Sequence, residues 1–257
     1  MSSTITNNLK IEEKASKENP NSSSFVFRYL PSGMGITLGN YLRRNLSSVI
    51  SGIAPLGVKI NDKKGSVKAE VADEIEGLRE TIPYFIINLK KVILEEKKKK
   101  EGVFCLELKV DNSKGKEEKI ITAGDFQHDK EVEIKNPELY LGTLAPSASL
   151  EIKLYFQNNW GYHTGEEQKN TYFPDDEDFI AFDTDYSPIK SGGVNFQVSP
   201  VVISQDISEE ELTVFITTNG TIKPKNALLE SLKITQGIFE LTTKLVNKKE
   251  KIITEDK

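Results

Sequence analysis

Cysteine is all but missing from this 257-residue chain. Cys105 stands alone, so no disulfide can close within the chain and no cysteine-based zinc site can form. A reducing compartment is the plain expectation. Histidine is nearly as scarce: His128 and His163 sit in polar contexts with no nucleophile placed beside either, which leaves acid–base and nucleophilic catalysis without a candidate. Trp160 is the sole tryptophan, and the tyrosines are not interleaved with arginine, so a base-stacking surface is not indicated. An excess of positive charge is absent too. The formal net charge of −5 argues against an overall grip on nucleic acid, though not against a complex that binds it through other chains. No stretch approaches the roughly 20 apolar residues that a membrane-spanning helix needs. The opening residues lack the hydrophobic core of a secretion signal, and Glu12, Glu13 and Glu18 do not suit an organelle-import peptide. The glycine turn at 31–35 has neither the spacing nor the lysine of a phosphate loop.

What is present is 37% hydrophobic residues arranged in two periods, enough for a real core. Residues 1–24 read as a flexible polar tail. FVFRYL (25–30) is a strand candidate, and Thr37 is placed to cap the helix that follows. In that helix Leu38, Tyr41, Leu42, Leu46 and Val49 recur at three- and four-residue steps. Strand patterns then dominate: 57–60, 67–71, 103–110, 119–126, 132–134 and 149–157. They are interrupted by a helix from Pro83 to about Leu89, because proline suits a first helical turn. Residues 158–178 have no apolar period and read as a loop. Three further strand patterns lead to the turn at 219–221. A second helix starts at Pro224 and runs to about Asn247, a rod of about 36 Å. Its apolar residues form two adjacent rows. Leu228, Leu232, Thr235, Phe239, Thr242 and Val246 make one; Ile234, Ile238, Leu241 and Leu245 make the other. So broad a face either crosses a core or packs on another chain. The last ten residues, 248–257, are charged and read as frayed. The class is α+β, with amphipathic helices near the two ends and a strand-rich middle, as when one domain is inserted within another.

Two groups of side chains invite a functional reading. Asn40, Arg43, Arg44, Ser47 and Ser51 fall opposite Leu38, Leu42 and Leu46 on the first helix. That polar side is either an ordinary solvated surface or a docking surface, where guanidinium forks suit carboxylates and carbonyls. Asp183 and Asp185 lie two apart on a strand, which points both carboxylates the same way. Paired acids of this kind can hold Mg²⁺ for a nuclease or transferase, but aspartate-rich turns are commonly just solvated.

GITLGNYLRRNLSSVISG (35–52) resembles the signature helix of the alpha subunit of bacterial and plastid RNA polymerase. Further segments resemble that family in its own order: 76–92, 121–138, 158–162, 185–189 and 217–232. The resemblance implies a split dimerisation subdomain (25–62 and 179–247), built of a sheet plus two long amphipathic helices. A mostly-β subdomain (63–178) would be inserted in it. It implies a homodimeric scaffold on which the beta and beta-prime subunits assemble, a non-catalytic part of a nucleotidyltransferase. Cofactors would be absent from this chain, with Mg²⁺ held by beta-prime. By the same resemblance Arg44 contacts beta, with Arg43 as its neighbour. Asn88, Leu89 and Lys90 face the large subunits, and Leu38, Leu42, Leu46, Leu228, Leu232 and Phe239 supply the dimer packing. DNA would be met only through the complex. This chain departs from the pattern at Met34, Ile36 and 157–160, and it ends at Lys257, where many relatives continue into a DNA-binding domain. The alternatives are a stand-alone magnesium enzyme using Asp183 and Asp185, and the related subunit of archaeal or nuclear polymerases. The compartment stays open between bacterial cytoplasm and plastid stroma, leaning to the plastid.

Overall fold

The computed structural model describes residues 9–67, 74–98, 100–127, 129–189, 192–204 and 207–255. In chain order the elements are β1 (Lys10–Ala15), β2 (Ser22–Pro31), α1 (Met34–Ser48), β3 (Gly52–Asp62), β4 (Gly65–Ser66), α2 (Ile82–Leu89), β5 (Leu94–Glu96) and β6 (Val103–Asp111). There follow β7 (Lys119–Thr122), β8 (Val132–Ile134), β9 (Tyr140–Leu144), β10 (Ser149–Asn159), β11 (Tyr162–His163) and α3 (Gly165–Tyr172). The chain closes with β12 (Ile180–Ala181), β13 (Thr184–Asp185), β14 (Val194–Ser204), β15 (Ile207–Thr217) and α4 (Pro224–Glu255). The mixed α+β class expected from the pattern is what is seen.

Two compact units divide the chain. One comprises Met1–Ile50, Ile189–Thr218 and Ile222–Lys257, the other Ser51–Pro188 and Asn219–Thr221. In the first, an antiparallel sheet in the order β1-β2-β15-β14 carries α1 and the start of α4. Its core is Phe25, Phe27, Leu42, Leu46, Leu212, Val214, Ile216 and Leu228 with their neighbours. β2 and β15 pair with a shift between Glu210 and Leu212, and on the β2 side Tyr29 takes a left-handed φ of 66°. An extra residue accommodated in this way is a β-bulge. Beside it the Glu210 carboxylate accepts hydrogen bonds from Gly33 N (2.8 Å) and Gly35 N (2.7 Å), amides at the start of α1 that have no carbonyl within the helix to bond. Thr37, expected to cap this helix, lies inside it, and its hydroxyl donates to the Gly33 carbonyl.

In the second unit the order is β12-β3-β10-β6, with β4 on β3 and short ribbons β5–β8, β7–β9 and β11–β13. α2 lies against β9. The core runs from Val58, Ile60 and Leu106 to Phe85, Leu89, Phe126, Leu150 and Phe156. The inserted domain was expected to begin at residue 63 and end at 178, but the unit boundaries fall at 50/51 and 188/189. The reason is pairing. β3 is zipped to β10 along its length, β12 pairs β3, and Ile53 and Phe182 are buried in this core.

Three local expectations change as well. Residues 10–15 and 22–24 of the supposed tail are strand, because β1 pairs with β2 from Lys10↔Arg28 to Ala15↔Ser23; residues 1–8 lie outside the described residues. The 158–178 loop contains α3, and the second helix runs on to Glu255 rather than fraying at 248. Of the strand expected over 67–71, residues 68–71 lie outside the described residues. His128 does so too.

Candidate functional site

α1 is held close to the sheet by glycine. A Cβ on Gly39 would come 2.4 Å from the Phe196 ring, and one on Gly35 would come 2.8 Å from Val198, both on β14. One helical turn on from Gly39, the Arg43 guanidinium lies 5.8 Å from the centre of that same ring and donates to Asn40 Oδ1. Arg44 is different. It is exposed, and among the described residues its guanidinium forms no ion pair or hydrogen bond. The polar side of α1 therefore presents one arginine already stacked and one uncommitted.

The leucines of α1 are spent within the chain. Leu42 and Leu46 are completely buried in the first unit's core, and Leu38 is half-buried against it. Leu228 is buried there too, and Leu232 packs on its margin. These residues were expected to form dimer packing. For Leu42, Leu46 and Leu228 the structure corrects that, since a side chain enclosed by its own fold has no surface left for a second copy. Phe239 alone of the six is widely exposed, at 61%. With it Ile238, Leu241, Leu245 and Val246 stand out from α4, all more than half exposed. Five large apolar side chains on two turns of one helix are far beyond the scattered exposure that a surface ordinarily carries.

On α2 the three expected contact residues separate likewise. Leu89 is fully buried in the second unit's core. Asn88 is turned inward in part, its amide donating to the Leu141 carbonyl at 3.1 Å. Lys90 is exposed just past the helix. Of the three, then, only Lys90 has a widely exposed side chain. The exposed apolar residues of that helix are Tyr84 and Ile87, whose i, i+3 spacing is their signal in the sequence.

Asp183 and Asp185 are both exposed on one side of the β13 segment, as their spacing predicts. Each serves the backbone. Asp183 accepts from Gly165 N at the start of α3 (2.7 Å), and Asp185 accepts from Ser187 N (3.0 Å). Among the described residues no group of three His, Cys, Asp or Glu side chains is placed to hold a metal ion. Cys105 lies half-exposed on β6, with its thiol pushed up by burial and by Glu107, which disfavours the reactive thiolate.

Over residues 58–187, just over half of the chain, the sequence matches the family described as RNA polymerase Rpb3/RpoA insert domain. The chain belongs to that family. It is thus an RNA polymerase alpha-type subunit, acting within the DNA-directed polymerase complex, in transcription. The matched segment runs from within β3 to just past β13 and holds almost all of the second unit. The signature helix with Arg43 and Arg44, and the exposed row of α4, lie outside the match in the first unit. No observation favours the magnesium-enzyme alternative.

Proposed function

We propose that this alpha-type subunit is a homodimeric scaffold on which the two large polymerase subunits, beta and beta-prime, assemble, and that it adds no catalytic group of its own. The observation that carries the reading is the row Ile238, Phe239, Leu241, Leu245 and Val246, five apolar side chains gathered on one stretch of one helix and each more than half exposed. A self-complementary apolar helix face is the common solution for a two-fold dimer. The occupant is a second copy because the row continues a helix whose first turns, at Ala227 and Leu228, are anchored in the chain's own core. Arg44 supports the second half of the reading: a guanidinium with no partner among the described residues, on a helix packed against its sheet, suits a carboxylate or carbonyl of a larger chain. Lys90, Tyr84 and Ile87 offer a separate contact on α2.

Sedimentation velocity tests both halves. The purified chain is expected to sediment as a dimer at micromolar concentration, and Phe239→Asp to shift it to monomer. Arg44→Ala is expected to leave the dimer intact while reducing capture of the beta subunit at least tenfold. A wild-type chain that stays monomeric through that range removes the scaffold reading.

A further inference from the structure

α1 and α4 meet through a small polar cluster set in an otherwise apolar seam. Asn45 Nδ2 donates to Ser231 Oγ (2.9 Å) and to Thr235 Oγ1 (2.7 Å). The Tyr41 hydroxyl donates to the same Thr235 Oγ1 at 2.5 Å, and Thr235 passes its own proton to the Ser231 carbonyl at 2.8 Å. The Thr235 hydroxyl is thereby saturated, giving one bond and accepting two. Ser231 and Thr235 are buried. Just beyond, the character of α4 changes: every described side chain from Gln236 to Asn247 is exposed. The Phe239 ring lies 6.4 Å from that of Tyr41.

Apolar helix faces pack acceptably in several registers, whereas a saturated hydrogen-bond cluster fits one. Sliding α4 by one residue would rotate each of its side chains by about 100° and shift them about 1.5 Å, taking the partners of the half-buried Asn45 amide and the buried Thr235 hydroxyl away together. Specifying register is the best-attested use of polar groups within a helix seam. The cluster is also the last buried point before the helix projects. An angular error there is carried along about 16 Å of helix to Val246.

We infer that Tyr41, Asn45, Ser231 and Thr235 form a polar clasp that fixes the register and direction of α4 on α1, and so sets how the exposed row meets a second copy of this chain. These are positioning residues, not interface residues. The inference rests on the self-pairing reading above, and the experiment separates the two.

The 257-residue chain is compared as wild type, Phe239→Asp and Asn45→Leu/Thr235→Val, each read for self-association Kd by sedimentation and for thermal midpoint by circular dichroism. Removing donors and acceptors together leaves few orphaned groups, so at dilutions where both chains are monomeric the double variant is expected to melt close to wild type. Its Kd is expected to rise at least tenfold. A role confined to stability would move the midpoint and leave the Kd of the folded chain alone. If Phe239→Asp dissociates the dimer while the double variant pairs like wild type, the clasp is overturned and self-pairing stands. If Phe239→Asp has no effect, both fall. Should the double variant lose its cooperative transition, Thr235→Ser and Thr235→Val decide. The serine keeps the hydroxyl and is expected to retain the wild-type Kd, the valine to raise it, and equal values for the two overturn the proposal.

Discussion

Two residues show how little separates a fit from a clash here. Alanine is the better helix former than glycine by about 1 kcal/mol, so Gly39→Ala would stabilise α1 in isolation. Against the sheet it does the opposite, because the added carbon would sit 2.4 Å from the Phe196 ring. Overpacking of that kind costs about 1–3 kcal/mol. Gly39→Ala is therefore expected to lower the urea midpoint with an unchanged m-value, and adding Phe196→Leu to recover part of the loss. In the second unit Asp129 supplies a pH signature. The hydrogen bond from Lys100, helped by the Glu131 amide, holds its carboxyl below the usual carboxylate range. A depressed folded-state value means that the charged form is favoured on folding. This contribution is complete above the ordinary carboxylate value of about 4, and is lost as pH falls through the lower folded one. Asp129→Asn is expected to weaken the second unit at pH 7 and to flatten its acid limb below about pH 4. A variant with the wild-type slope in that window would contradict the assignment.

Helices differ in how plainly they announce themselves. α2 reads directly from Pro83 and a dense apolar run, and the structure gives Ile82–Leu89. α3 does not. Its sequence GEEQKNTY has no apolar stripe, and its inward side chain is Gln168, which donates to the Phe182 carbonyl and accepts from the Tyr186 hydroxyl. Polar anchoring defeats a hydrophobic-period reading. The legible sign was Thr164 three residues before Glu167, a capping box that the structure forms. The start of α1 is hidden for a different reason: its cap comes from Glu210, 177 residues away from Gly33, which no local pattern contains. That distant cap makes a test. Glu210→Ala strips two amides of a charged acceptor and is expected to cost about 1–2 kcal/mol, with Glu210→Gln losing less, in chemical denaturation followed by helical ellipticity. The same limit explains Leu42, Leu46 and Leu228, expected at the dimer seam and found in the core. Periodicity tells which face of a helix is apolar, but not whether the chain itself or another chain covers it. Leu42 and Phe239 look alike in sequence and differ completely in exposure.

At the scale of the whole molecule, the two units carry separate cores, one centred on Leu42, Leu46 and Leu212, the other on Val58, Phe85 and Ile152. Each core is large enough to melt cooperatively. Only the first unit holds the exposed row of α4. If that row joins two copies, unfolding of the first unit releases a partner and that of the second does not. Mass action then treats them differently. Each tenfold rise in chain concentration adds about 1.4 kcal/mol per mole of dimer to the first transition and nothing to the second. Scanning calorimetry is accordingly expected to show two endotherms, one moving upward with concentration and one fixed. Phe239→Asp should pin the moving transition at its dilute-limit temperature and leave the other in place. Endotherms that ignore concentration would mean that the exposed helix face does not pair with its own kind.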